Sequence, residues 1–180
     1  MRYVSQMNQQ SVPSSEPFHA GEDSQALRQT LGCFPTGVTI VTTLDDRGEP
    51  IGLTVSSFNS VSLTPPLILW SLQLSSTHLD AFRNARGFAV SILSETQADI
   101  CSAFASDRQD RFNGIAWTAS QTGMPLISGA SAWLECETEI RHAGGDHDIF
   151  IGRVLSHHSS DAPPLIYARG RLAALAQPQS

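Results

Sequence analysis

The sequence contains no lysine: all eleven basic residues in its 180 are arginines. That absence excludes a Schiff-base nucleophile, a P-loop lysine and the lysine that pairs with ATP phosphates in protein kinases. An anionic ligand must therefore be met by arginine, hydroxyls, backbone N–H groups or helix N-termini. Cysteine is scarce as well. Cys33, Cys101 and Cys136 are odd in number and show no CxxC spacing, which argues against a disulfide framework and a zinc site; buried thiols and no metal are expected. Positive charge is in deficit, with a formal net charge of -6 and a pI near 5.4, so no nucleic-acid partner is expected. Apolar runs such as residues 65–70 fall far short of the roughly 20 residues a membrane helix needs. There is no G-x-G-x-x-G and no G-x-S-x-G, which removes a Rossmann domain and the hydrolase nucleophile elbow. The first twenty residues are polar and lack a signal-peptide pattern, so a cytoplasmic location is expected.

What the chain does have is 41 % hydrophobic residues, enough for one sizeable core. Residues 1–22 read as a loosely attached arm, 23–176 as a single domain and 177–180 as a tail. Asp23 or Ser24 can cap a helix carrying Leu27, Leu31 and Phe34, stopped at Pro35-Thr36-Gly37. Two β-branched runs, GVTIVTTL and IGLTVSSF, flank a turn-forming DDRGEP and predict an antiparallel hairpin. LILWSL follows the diproline Pro65-Pro66 as another strand. Hydroxyls of Ser75, Ser76 and Thr77 are placed to cap a short helix bearing Leu79 and Phe82. FAVSIL is a strand, and Ser94-Glu95-Thr96-Gln97 has capping-box spacing ahead of a helix with Ile100, Cys101 and Phe104 on one face. Residues 132–140 alternate, placing Cys136 on one face and Glu135, Glu137 and Glu139 on the other. DIFIGRVL and LIYARGRLAAL follow as strands, with His157-His158 in the loop between them. A mainly β antiparallel barrel with a few short helices is the expected architecture.

Three segments concentrate polar groups. Thr54, Val55, Ser56 and Ser57 are either a Ser/Thr-rich edge strand or a surface a ligand can approach closely. Ser71, Ser75 and Thr77 precede the short helix and offer either simple capping or an anion site. Asp146-His147-Asp148 after Gly144-Gly145 can supply a general base, a hairpin turn or, least of the three, a metal ligand. A fourth cluster places Arg108 and Arg111 beside Phe112, either a solvated loop or a phosphate grip beside a stacking ring.

Taken in order, Phe34-Pro35-Thr36-Gly37-Val38, the run from Gly52 to Leu67, the strand at 88–93, Asp110-Arg111-Phe112, Gly145-Asp146-His147 and Pro164-Leu165-Ile166-Tyr167 resemble the flavin reductase-like family. The resemblance implies a six-stranded antiparallel split β-barrel of the FMN-binding type, a homodimer, and NAD(P)H-dependent reduction of FMN or FAD for a separate monooxygenase. The alternative within the fold is a protein that keeps FMN as a prosthetic group, as carrier, sensor or reductase of another acceptor. By position, Thr36, Gly37, Thr54, Val55, Ser56 and Ser57 are implied to hold the flavin ring and ribityl chain, and Ser71, Ser75 and Thr77 its phosphate. His147 is implied beside nicotinamide and flavin as the catalytic residue, with Asp146 and Tyr167 nearby. Arg86, Arg108 and Arg111, with Phe112, are the candidates around the phosphates.

Overall fold

A computed structural model describes residues 24–108 and 110–176; the expected arm, the Asp23 cap and the 177–180 tail lie outside the described residues. The first helix, α1 (Ser24–Leu31), leads into a two-residue strand β1 (Thr36–Gly37). The β-branched runs form β2 (Thr39–Leu44) and β3 (Pro50–Val55), paired antiparallel as predicted. The Ser-rich segment that follows residues 54–57 forms β4 (Asn59–Leu63), an edge strand in a tight hairpin with β5 (Pro66–Gln73) across Thr64 and Pro65. Pro66 can stand at the start of β5 because a missing N–H costs least there. Then come α2 (Leu79–Asn84), β6 (Gly87–Ile92) and α3 (Ala98–Ala105).

The chain continues through β7 (Trp117–Ala119), β8 (Pro125–Ile127), β9 (Ala132–Gly144), β10 (His147–Ser159), β11 (Ile166–Ala168) and β12 (Arg171–Ala173). The central sheet runs β3-β2-β6-β9-β10-β5-β4, joining β4 to six longer strands, with β3 and β4 as its edges. Small sheets of β1-β11-β12 and β7-β8 complete the mainly β fold. Two local expectations change. His157 and His158 belong to the far end of β10 rather than to a loop. The predicted final strand breaks into β11 and β12 because Arg169 and Gly170 both take positive φ (50° and 76°), the hairpin-turn conformation.

The central strand β2 is buried on both faces, so its polar side chains need internal partners. Thr39 donates to the Val55 carbonyl (2.9 Å), Thr42 to that of Pro125 (2.5 Å) and Thr43 to that of Gly87 (3.0 Å). One core lies inside the curled sheet, where Trp70 stacks on Phe150 at 4.6 Å and meets Phe82 of α2 and Phe88 edge-on at 5.0 and 5.5 Å. The other lies between Ile40, Leu93 and Ile127 and the α3 residue Phe104. Phe104 fixes α3 on β3 by close approach: a Cβ at Gly52 would sit 2.6 Å from Phe104 Cε1. The capping box ahead of α3 forms by half, with Gln97 Oε1 accepting the Ser94 N–H at 3.0 Å while the Ser94 hydroxyl pairs with Thr96.

Glu135 departs most from the expected exposure. Rather than facing solvent with Glu137 and Glu139, it is 2 % exposed, with the β7–β8 turn residues Ser120 and Thr122 on its carboxylate. Its carboxylate accepts hydrogen bonds from the Thr122 N–H (2.9 Å), the Thr122 hydroxyl (2.5 Å), the Ser156 hydroxyl (2.8 Å) and the Ser120 hydroxyl. Burial pushes this carboxyl upward, yet the four donors outweigh it and hold the group down at about 2. The unfolded chain titrates higher, so this contribution to stability is complete above about pH 4.5 and is lost as the pH falls toward 2. Glu135→Gln, which turns one acceptor into a donor facing hydroxyls, should cost about 2 kcal/mol at pH 7 and flatten the acid limb of the stability curve. Urea unfolding at pH 7 and pH 3 measures both, and an equally steep acid limb in the variant would contradict the assignment. The thiols also differ from expectation: Cys136 is buried, Cys101 half-buried, and Cys33 exposed.

Candidate functional site

A cleft of about 700 Å³ opens where the end of β3, the end of β5 and the segment after α3 converge. One wall is Thr54, Val55, Ser56 and Ser57; the next is Ser71, Ser75, Ser76 and Thr77; Arg111, His147 and Tyr167 close it. The two walls are tied by Ser57, whose hydroxyl accepts the Ser71 N–H (2.9 Å) and donates to the Ser71 carbonyl (3.2 Å). Thr54 spends its hydroxyl proton on the Cys101 carbonyl (2.8 Å), pinning α3 to β3. The expected hydroxyl caps do not form: the residue before α2 is His78, with no side-chain cap bond, and Ser76 only accepts the His78 N–H at 3.3 Å. Ser75 and Thr77 are exposed on the cleft wall instead.

His147 starts β10 just after a two-residue turn in which Gly145 takes φ +71°, the conformation glycine favours at the first turn position. Its Nδ1 lies 2.7 Å from Asp146 Oδ1. The ionised carboxylate can only accept, so Nδ1 donates to it and Nε2 is left free of that contact. The bond to His147 is also the main cause holding the Asp146 carboxyl below its usual range. On the other side of the strand, Asp148 pairs with Arg83 of α2 at 2.7 Å, locking the helix to the strand that carries His147.

Of the three arginine candidates, only Arg111 lines the cleft. Its Nη1 donates to the Gly52 carbonyl at 3.0 Å, while its Nε is buried with no partner. A buried guanidinium N–H without an acceptor costs free energy unless a ligand completes it. Arg108 instead pairs with Asp110 at 3.2 Å, both side chains more than half exposed. Arg86 is exposed between α2 and β6 and does not reach the cleft. Phe112 turns into the second core, edge-on to Phe104 at 4.9 Å. Asp146 stays outside the cleft as the partner of His147, and Gly37 lies on β1 away from it.

Thr36 lines an adjoining groove of about 1160 Å³, between α1 and the β11–β12 turn, that shares Ser56, Ser57 and Tyr167 with the cleft. Tyr167 is held there by pairing with Thr36 across β1 and β11. The cleft also contains residues the sequence did not single out: Gln73, His78, Cys101 and Asp107. Burial lowers the His78 imidazole and the nearby Arg111 charge lowers it further. Burial alone raises the Cys101 thiol. The SSTH run was the available signal for His78, since the residue after the hydroxyls is carried into the same wall.

An antiparallel sheet with an open cleft lined by hydroxyls, an arginine and a turn-mounted histidine defines a mainly β, split-barrel-like protein. The chain belongs to the family whose model is the flavin reductase like domain, matched over residues 31–176. Among its relatives, the FMN reductase (NADH) of Agrobacterium fabrum is 43 % identical over 83 % of this chain and 85 % of its own length. The reductase component of a flavin-dependent trigonelline monooxygenase from Acinetobacter baylyi is 44 % identical over 80 % of this chain and 46 % of its own. The chain thus spans about half the length of some curated relatives it matches. Among solved structures, the NADH:FAD oxidoreductase of Streptomyces globisporus, in complex with NAD and FAD fragments, superposes with a TM-score of 0.86 at 35 % identity, covering 92 % of this chain and 100 % of that one.

Proposed function

We propose that this chain is an NAD(P)H-dependent flavin reductase that reduces FMN or FAD in the 700 Å³ cleft and releases reduced flavin to a separate flavin-dependent monooxygenase. The observation that carries the proposal is the donor set of the cleft: two walls of hydroxyls facing an arginine whose Nε lacks a partner. Those residues fit a phosphorylated flavin, and they do so without lysine. The flavin, once bound, supplies the redox chemistry, accepting a hydride from the reduced nicotinamide. The chain supplies position and polarity. The backbone of residues 54–57 and the Ser56 hydroxyl orient the ring and offer hydrogen bonds to its polar edge as negative charge grows there, the Thr54 and Ser57 hydroxyls already donating to the Cys101 and Ser71 carbonyls. Ser71, Ser75, Thr77 and Arg111 take the phosphate end. His147, fixed by Asp146, and Tyr167 flank the place for the nicotinamide.

His147→Ala should raise the KM for NADH about tenfold, the loss of one good hydrogen bond, and lower kcat less. Steady-state kinetics with both parameters unchanged would remove His147 from that role.

A homodimer is part of the proposal. The adjoining groove is supported as its contact face by Leu31 and Phe34, 64 % and 73 % exposed on its rim, since apolar groups of that size are usually covered. The reduced-nicotinamide substrate suits a cytoplasmic enzyme; among the described residues no helix is long and apolar enough to cross a membrane. NADH oxidation measured with and without added FMN or FAD, and repeated with NADPH, tests the function. Consumption that depends on free flavin is expected, whereas a yellow protein inert to NADH would overturn the proposal in favour of flavin held as a prosthetic group.

A further inference from the structure

His78 has no part in the roles assigned above, yet it stands on the cleft wall directly after the hydroxyl run Ser75-Ser76-Thr77. His78 and Arg111 line the same cleft, and the guanidinium charge adds to burial in favouring the neutral ring. No carboxylate pairs with Arg111 among the described residues. The other titratable groups lining the cleft are Cys101 on α3, the exposed Asp107 beyond it, His147 on β10 and Tyr167 on β11. His147 is engaged with Asp146, and Asp107 forms no ion pair among the described residues. His78 and Arg111 therefore line one cleft, and neither is ion-paired to a carboxylate among the described residues.

We propose that His78 is the proton-coupled partner of the flavin phosphate, taking one proton from solvent as the phosphate binds beside Arg111. The inference rests on the proposed flavin site and adds a residue and a pH response to it. In the empty cleft, burial and the neighbouring Arg111 both favour the neutral ring. A phosphate set between the two reverses the sign of the local field, so the ring charges and donates a charge-assisted hydrogen bond to a phosphate oxygen. The protonated ring then belongs to the complex and the neutral ring to the free protein. Linkage requires flavin affinity to fall as the pH rises through neutrality, by at most about tenfold per pH unit for one proton.

The test is calorimetric titration of the flavin-free protein with FAD in two buffers of different ionisation enthalpy, from pH 6 to 8. FAD is chosen because its pyrophosphate, unlike the FMN monoester, has no protonation step near pH 6. Wild type should take up a substantial fraction of one proton per FAD and bind more weakly at pH 8 than at pH 6. His78→Gln should still bind, about tenfold more weakly at pH 6, with that uptake and slope gone. Riboflavin, which lacks phosphate, should show no such uptake on wild type; this control does not depend on the variant folding. Equal uptake in wild type and His78→Gln, or equal uptake with riboflavin and FAD, would overturn the role of His78 while leaving the flavin site intact. No saturable flavin binding by wild type would overturn both.

Discussion

Arg111→Ala is expected to weaken FMN binding by ten- to a hundredfold, the largest effect of any single substitution in the cleft. Arg111 Nη1 is anchored on the Gly52 carbonyl at 3.0 Å while Nε is buried without an acceptor among the described residues. A phosphate oxygen satisfies that donor and the guanidinium charge together, and a hydrogen bond to a charged group contributes about 1.5–3 kcal/mol, which is that range of affinity. Arg111→Lys keeps the charge but loses the fork and the anchor on Gly52, so it should recover only part of the loss. Riboflavin binding, measured by fluorescence quenching, should be much less affected than FMN binding. Equal weakening of both ligands would mean that Arg111 supports the cleft wall rather than the phosphate. Arg86→Ala and Arg108→Ala should leave FMN affinity unchanged, because neither side chain lines the cleft.

Trp70→Ala should destabilise the fold by about 3–5 kcal/mol, enough to unfold a marginal domain. Trp70 is fully buried and sits at the centre of four aromatic rings, stacked on Phe150 at 4.6 Å with Phe82 and Phe88 on its edges. Those contacts join β5, α2, β6 and β10, and β5 and β10 carry Ser71 and His147 into the cleft. Its indole Nε1 has no hydrogen-bond partner, so Trp70→Phe gives up volume but no hydrogen bond and should cost less than about 1.5 kcal/mol. Chemical denaturation of the two variants separates packing from polarity. A Phe variant as unstable as the Ala variant would show that the indole N–H is bonded after all.

The sequence carried much of the cleft because the residue types that line it are local and ordered along the chain. The hydroxyl runs at 54–57 and 71–77 and the Gly-Gly-Asp-His turn each come from one short stretch, and each lies on a strand or turn whose pattern is visible without the fold. What the sequence could not rank was Arg86, Arg108 and Arg111. Three arginines near polar segments look alike until the course of the chain after α3 brings one against Gly52 and leaves another paired with Asp110. Phe112 was misplaced for the same reason, since its ring packs on Phe104, a neighbour that only the second core reveals.

Glu135 shows a different limit. Strict alternation on β9 gives its side-chain direction correctly, on the face opposite Cys136. Alternation does not say that the β7–β8 turn and Ser156 of β10 supply hydroxyls to the carboxylate. The pattern of a strand fixes which way a side chain points, whereas burial depends on what non-local segment arrives above it. The Ser-rich, mostly exposed residues of β4 lack the apolar signal of a buried strand, so the sequence left an edge strand and a ligand-facing surface both open there, and the pairing comes from the hairpin with β5.

A crystal structure of the protein grown with FMN tests the central claim most directly. The isoalloxazine ring should lie against residues 54–57 with its phosphate between Ser71, Ser75, Thr77 and Arg111 and one open face toward His147. Flavin bound elsewhere, with Arg111 Nε still unpartnered and the cleft empty, would contradict it.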